Sequence, residues 1–268
     1  MAERLKDMFD LTGKVAIVTG GHAWLGNDMA KALAEFGCSI IITSREKERA
    51  DAAAKAIADE FGVDAIGLQL EQKDYASVQK MADDAYAWKG HIDILINNAG
   101  GGSGKGECDF LKRDPAIIQS MIDVNLVGSM FCSQAVGRYM AKQKSGSIIN
   151  IGSIAGIVGR DRTIYHKTNK MEQPVEYAAS KGGVIAYTRD LAAYMSQYGV
   201  RVNSISPGGF DKGEVREFVS AYGELTPLGR MGQLGKELKG AALFLASDAS
   251  SYVTGHNLAV DGGFSTCK

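Results

Sequence analysis

The sequence predicts an α/β fold, doubly wound, with a mostly parallel seven-stranded sheet and helices on both faces. Three observations carry that expectation. Short β-branched runs, apolar on both faces, recur along the 268 residues; longer segments of helical periodicity separate them; and the first run ends in a glycine-rich turn. A strand apolar on both faces is one covered by helices above and below. Strand–helix alternation with right-handed crossovers then builds a sheet wound in both directions.

The expected strands are Val15–Thr19, Ile40–Ser44, Ala65–Leu70, Ile92–Asn97, Ser147–Ile151, Val200–Ser206 and Asn257–Val260. The first helix, near Leu25–Phe36, lines Met29, Ala30, Leu33, Ala34 and Phe36 along one stripe and stops at Gly37. Further helices are expected over Glu46–Phe61, Tyr75–Trp88, Pro115–Lys142, Val175–Tyr198 and Leu234–Ala246. No Pro/Ser-rich linker, low-complexity tract or repeat divides the chain, so residues 1–268 read as a single domain.

Composition narrows the function classes. With 45% hydrophobic residues the chain can bury a large core. A formal net charge of -1 and no polybasic stretch argue against a nucleic-acid partner. No apolar run reaches the roughly 18 residues of a membrane span. The charged Met1–Asp10 segment has no signal-peptide core, so a cytoplasmic location is expected. Cys38, Cys108, Cys132 and Cys267 are scattered without metal-ligand spacing, which predicts idle reduced thiols and no bound metal.

Ligands of such a sheet bind outside the carboxyl ends of its strands, where each of the following motifs falls. The turn Thr19-Gly20-Gly21-His22-Ala23-Trp24-Leu25-Gly26 lets a phosphate approach the backbone and presents it to a helix N-terminus. The next strand ends in Thr43-Ser44-Arg45. A carboxylate there would bond ribose hydroxyls and repel a 2′-phosphate; Ser44 supplies none and Arg45 could pair with that phosphate. The expected cofactor is therefore NADP(H) in preference to NAD(H). The glycine tract Gly100–Gly106 is not a phosphate loop, because Ala99 takes the first glycine position and no Ser or Thr follows Lys105.

Tyr177 and Lys181 stand four residues apart, which puts phenol and ammonium on one helix face. The ammonium is expected to stabilise phenolate and lower the tyrosine pKa. Ser153 follows a buried strand; its hydroxyl could bond a substrate carbonyl or serve as a turn cap. Asn125, on an otherwise apolar helix, is either a structural bridge or part of a proton path.

The ordered set Thr19-Gly20…Gly26, Asn97-Asn98-Ala99-Gly100, Asn125, Ser153, Tyr177…Lys181, Pro207-Gly208 and Asp261-Gly262-Gly263 resembles the short-chain dehydrogenase/reductase family, from about Leu11 to Phe264. The resemblance implies a single dinucleotide-binding catalytic domain of Rossmann type. It gives Tyr177 the role of general acid and base, Lys181 that of holding the nicotinamide ribose, and Ser153 that of orienting the reacting oxygen. Asn125 would anchor a water linking Lys181 to solvent. Gly20, His22, Trp24, Leu25, Gly26, Ser44, Arg45, Glu71, Asn98 and Gly100 would contact the cofactor, with Pro207, Gly208 and Phe210 bordering its nicotinamide side. Pairing through Pro115–Lys142 and Val175–Tyr198 into a dimer or tetramer is implied as well.

The chain departs from the family at four places. Trp24 replaces a glycine, and is expected to point away as a cover. Glu71 replaces aspartate near the adenine, and Lys212 stands where threonine is usual. Ser153 and Tyr177 lie 24 positions apart, wider than usual. The extra segment, 159–174, holds Arg160, Arg162, His166, Lys167 and Lys170, and is expected to replace part of a shortened lid at 209–227. Its basic character suits an anionic small-molecule substrate, with Arg160 and His166 as ligands beside Ser153 and Tyr177. The expected activity is hydride transfer between NADP(H) and a secondary alcohol or ketone, with a sugar acid, polyol or keto acid as substrate. The last third of the chain is similar to gluconate 5-dehydrogenase-like members. The alternatives are a 3-oxoacyl thioester reductase and a non-catalytic dinucleotide-binding sensor.

Overall fold

Seven strands form where the β-branched runs stand: β1 Val15–Val18, β2 Ser39–Ser44, β3 Ala65–Gln69, β4 Ile94–Asn97, β5 Gly146–Ile151, β6 Val200–Pro207 and β7 Asn257–Val260. The structure is a computed structural model that describes residues 4–101 and 108–266. The sheet order is β3-β2-β1-β4-β5-β6-β7, with every pair parallel.

Alternation along each strand divides the core. Ala16 and Val18 of β1 join Ile40 and Ile42 of β2 on one face, against Met29, Ala30 and Leu33 of helix α1 (Trp24–Glu35) and Ala50, Ala54 and Ile57 of α2 (Lys47–Phe61). Val15, Ile17 and Ile41 face the other way, onto Val78, Met81 and Ala85 of α3 (Tyr75–Lys89). Each of the Val, Leu, Ile and Met side chains among these contributes about 1.5–3 kcal/mol, and each alanine less.

The helix expected over Pro115–Lys142 is two α-helices, α4 (Pro115–Ile122) and α5 (Gly128–Gln143), joined by a π turn at Asp123–Val127. The segment Pro115–Gln143 is long and apolar enough, with an 18-residue window of mean hydropathy 1.3, to cross a membrane by length and composition. Its inner side carries the fully buried Cys132, Ala135, Val136 and Met140 of the sheet-facing core. Beyond the five-residue helix α6 (Thr163–Lys167) lies the long α7 (Val175–Met195). The helix expected from Leu234 starts only at Lys239, as α9 (Lys239–Ala246) after α8 (Arg216–Glu224). Gly235 takes φ +74 there and donates its N–H to the Asp28 carboxylate at 2.6 Å, which holds the chain in a turn.

Helices α6 and α8 lie in the extra segment and the shortened lid. They share an apolar cluster of their own, built from Ile154, Ile164, Phe218, Tyr222, Met231 and Phe264. Burial pushes the thiols of Cys38 and Cys132 up, that of Cys132 to about 12, and Cys108 is partly buried. Cys267 lies outside the described residues, as do residues 102–106 of the glycine tract.

Candidate active site

The chain runs outward from β1 to β3 and then crosses back to β4, so a crevice opens between the carboxyl ends of β1 and β4. Thr19 follows β1, and its buried hydroxyl accepts the N–H groups of Asn98 (3.0 Å) and Ala99 (2.9 Å). The Asn98 amide donates to the carbonyls of Thr19 (2.9 Å) and Gly20 (3.2 Å). These bonds clamp the glycine turn to β4. At Gly20, φ is +61 and a Cβ would lie 3.0 Å from the Ala99 backbone, so any side chain there would be strained and tightly packed.

Behind the turn α1 begins without a side-chain cap, and Ala23 is its N-cap residue. Its first N–H groups lack intrahelical partners and face the crevice with the positive end of the helix dipole. Beside them the buried Nδ1 of His22 has no partner among the described residues. An uncapped helix start and an orphaned imidazole nitrogen fit a dinucleotide. At the end of β2 the buried Ser44 accepts the Glu46 N–H at 3.3 Å, while Arg45 is exposed. The nearest acid in the chain, Glu46, is paired with Arg49 at 2.8 Å. The Glu71 carboxylate accepts the Lys73 N–H at 3.3 Å and so bends back on its own loop.

Trp24 does not simply point away. It opens α1 with φ +50, a left-handed conformation that glycine adopts freely, and its ring is 56% exposed. The Lys212 ammonium lies over that ring, 5.2 Å from the centroid. Two departures that look unrelated in sequence therefore touch.

Three of the four expected catalytic residues converge past β5. The Ser153 hydroxyl accepts the Ala155 N–H at 3.1 Å as the cap of a short turn, Ile154–Gly156, and lies close enough to the Tyr177 phenol to oppose the rise in its pKa. Capping and proximity to Tyr177 thus coexist in one hydroxyl. The turn reaches Tyr177 because Gly156 packs on the backbone of α7, where a Cβ would stand 2.6 Å from Lys181. Lys181 donates its Nζ to the Ile151 carbonyl at 2.6 Å, and lies 5.9 Å from the centroid of the Tyr177 ring.

The expected electrostatics of this pair need correction. Burial raises the Tyr177 phenol above its ordinary value; the Ser153 hydrogen bond and the Arg160 charge oppose the rise without overcoming it. Lys181 is turned to a backbone carbonyl and does not reverse that balance. Burial lowers Lys181 itself to about 8.

Asn125 sits in the π turn. Its Oδ1 accepts the Gly101 N–H at 2.9 Å, and its Nδ2 donates to Gly101 O (3.2 Å) and Met121 O (3.1 Å). The side chain is thus a bridge to the Gly100–Gly101 loop. A water of the kind the resemblance assigns to Asn125 would have to hang on its main-chain carbonyl.

The basic segment is largely neutralised. Arg162 and His166 both pair with Glu172, and Lys170 pairs with Glu214. His166 is an exposed imidazole held by that carboxylate. Arg160 differs: it donates to Gln173 Oε1 (2.8 Å) and Pro174 O (3.1 Å), and lies close to Tyr165 and Tyr177 with no carboxylate partner among the described residues. Beside it a cleft of about 800 Å³ is lined by Tyr165, Lys170, Met171, Glu172 and Phe110.

The nicotinamide-side backbone at Pro207–Phe210 is held from outside. The Gly209 N–H donates to Tyr222 Oη at 2.6 Å, and the Tyr222 ring stacks on Phe264 with centroids 5.0 Å apart. The Asp261 carboxylate closes its own turn on the N–H groups of Gly263 (2.8 Å) and Ser265 (2.9 Å).

Two groups escaped the sequence reading. Gln72, buried after β3, donates to Ala99 O (3.1 Å) and Val124 O (2.6 Å), and so ties the crevice to the π turn. Arg113 and Glu176 form a buried ion pair at 2.7 Å, with side chains 0% and 3% exposed, immediately before Tyr177. The 63 positions between them hid it; a lone Glu before the tyrosine in an apolar context was the available signal.

A clamped glycine turn, an uncapped helix start and a serine–tyrosine–lysine cluster at the strand ends define a dinucleotide-dependent dehydrogenase. The family model described as enoyl-(acyl carrier protein) reductase matches residues 22–265, and the chain belongs to the short-chain dehydrogenase/reductase family. It is an oxidoreductase that moves a hydride between a nicotinamide dinucleotide and a secondary alcohol or ketone. An NADP-dependent mannitol dehydrogenase of Hypocrea jecorina is 36% identical over 99% of this chain and 97% of its own. A 3-oxoacyl-[acyl-carrier-protein] reductase of Aquifex aeolicus is 35% identical over 94% and 98%. Among solved structures, a gluconate 5-dehydrogenase from Burkholderia cenocepacia in complex with NADP and tartrate superposes with a TM-score of 0.88. It is 34% identical and covers 98% of this chain and 99% of that one.

Proposed function

We propose that this chain is an NADP(H)-dependent dehydrogenase of polyols or sugar acids, with Tyr177 as its proton-transferring group. The observation that carries the reading is the buried Tyr177 phenol set close to the Ser153 hydroxyl and to an Arg160 guanidinium that has no carboxylate partner among the described residues. Bound in the crevice, the dinucleotide supplies or accepts the hydride. Ser153 holds the substrate oxygen. Tyr177 gives its proton to that oxygen during reduction and takes it back during oxidation. Lys181 sits one helical turn on, bonded to Ile151 O, and would hold the nicotinamide ribose. Asn125 holds the π turn and the Gly100–Gly101 loop in place. Arg160 offers a carboxylate-bearing substrate a cation at the reacting end; His166 is committed to Glu172 and serves the segment's shape.

Ser44 and the exposed Arg45 support NADP(H) over NAD(H), in line with the mannitol dehydrogenase relative. Met130 on α5 and Tyr194 on α7, 45% and 60% exposed, support self-association through these helices into a dimer or tetramer. Reduction of a 3-oxoacyl thioester is the second reading, favoured by the Aquifex relative.

A panel of polyols, sugar acids and acetoacetyl thioester, assayed with NADPH and NADH by nicotinamide absorbance, tests the proposal. Polyols or sugar acids should turn over with the phosphorylated cofactor. Tyr177→Phe should lower kcat by about 10²–10⁴-fold with nucleotide Kd unchanged. Activity confined to the thioester would reverse the order of the two readings, and turnover surviving in Tyr177→Phe would remove Tyr177 from the chemistry.

A further inference from the structure

We propose that Trp24 and Lys212 form a clasp over the pyrophosphate of the dinucleotide, in which Lys212 leaves the indole face for the phosphate as the cofactor binds. The proposal rests on the crevice being the dinucleotide site. Trp24 opens α1 with φ +50, a conformation that a residue with a Cβ adopts only under constraint. Its ring is more than half exposed and so gains little from core packing. What holds it is the ammonium of Lys212, 5.2 Å from the ring centroid.

The loop that carries Lys212 is aimed. The Asp211 carboxylate accepts the N–H groups of Gly213 (2.9 Å) and Glu214 (3.0 Å), fixing the backbone on either side of the lysine. The neighbouring acid, Glu214, is already taken by Lys170. Lys212 therefore has no close ion-pair partner among the described residues; Glu214 attracts it from a distance, and its direct contact is the indole's π face. Next to that face lie the uncapped first N–H groups of α1 and the orphaned Nδ1 of His22. A diphosphate bound there would meet donors from the helix on one side and an unpaired ammonium on the other. An ion pair with phosphate is stronger than contact with an aromatic face, so the exchange of partners favours the bound state.

Glu214 and Lys170 extend the chain of contacts: Lys170 lies over the Phe218 ring of α8, 4.8 Å from its centroid. The glycine turn, the Lys212 loop and the extra segment are thus joined in series across the mouth of the crevice.

The chain has two tryptophans, so Trp88→Phe leaves Trp24 as the sole fluorescent reporter. In that background, titration with NADP⁺ should change Trp24 emission, and ADP-ribose, which keeps the pyrophosphate, should do the same. Lys212→Met should weaken both ligands about tenfold or more and flatten the salt dependence of Kd, while leaving 2′-AMP, which lacks the pyrophosphate, unaffected. Lys212→Arg should restore most of the affinity. Equal binding of NADP⁺ by Lys212→Met and its parent, or unchanged Trp24 emission at saturation, would overturn the clasp. A parent protein that binds neither NADP⁺ nor ADP-ribose would instead overturn the dinucleotide site itself.

Discussion

The floor and the roof of the crevice are built on opposite physical terms. The floor, from β5 to the start of α7, is buried: Ser153 and Lys181 are 8% and 4% exposed, and the Arg113–Glu176 pair beneath them is shut off from water. The roof, from the extra segment to α8, is held by ion pairs whose side chains are 20–70% exposed and by one small apolar cluster. Water screens the roof and competes for its charges; it does neither in the floor. A dehydrogenase with this division keeps its proton chemistry fixed while the surface over the substrate can be rewritten at low thermodynamic cost.

The sharpest way to break the comparison is Glu176→Ala. It removes the carboxylate from an ion pair whose side chains are both buried and should cost about 3–5 kcal/mol in urea unfolding. A loss below about 1 kcal/mol would make the floor no different from the roof.

Lys181→Met probes the floor with the opposite sign. Burial holds the folded-state value of Lys181 near 8, below the ordinary 10.5, so at pH 7 the charged amine opposes folding. Its replacement should stabilise the protein by about 1–3 kcal/mol at pH 7 while abolishing turnover. Between pH 8 and 10.5 the unfolded chain binds more protons at this site, so wild-type stability should rise and the variant's advantage should shrink. Thermal unfolding across that window checks both statements; an advantage independent of pH would sink the argument.

The smallest effects belong to the roof. Arg162→Ala and Lys170→Ala should each change stability by no more than about 1 kcal/mol. Their signature should be a shift in substrate KM with nucleotide Kd unaltered. A large loss of stability in either would show that the roof is a load on the fold.

The strands were legible in the sequence because burial on both faces demands uninterrupted apolar, β-branched runs, and β1, β4 and β6 have no other reading. The positions of Ser153, Tyr177 and Lys181 were legible because local spacing sets which face a residue takes. What those residues touch was not. Lys181 turns to Ile151 O, and Tyr177 comes under Arg160, through contacts that no i,i+4 rule contains. The π turn escaped because Asp123–Val127 has ordinary helical patterning; the Asn125 amide that accompanies the widened turn bonds to Gly101, 24 positions away. The basic segment misled for a related reason. Its Lys and Arg residues are countable in sequence, whereas Glu172 and Glu214 become their partners only after folding.

The π turn also sets a rule for length. It holds one residue more than an α turn would, and that residue sits inside a continuous helical path from Pro115 to Gln143. Deleting any one residue of Asp123–Val127 would remove the extra residue, and the path could close to regular α geometry with α4 and α5 in the phase they already have. The local cost would fall on the Asn125 amide, which now bridges to Gly101 from within the widened turn. A shortened turn would keep the helix and give up its hold on the loop that follows β4.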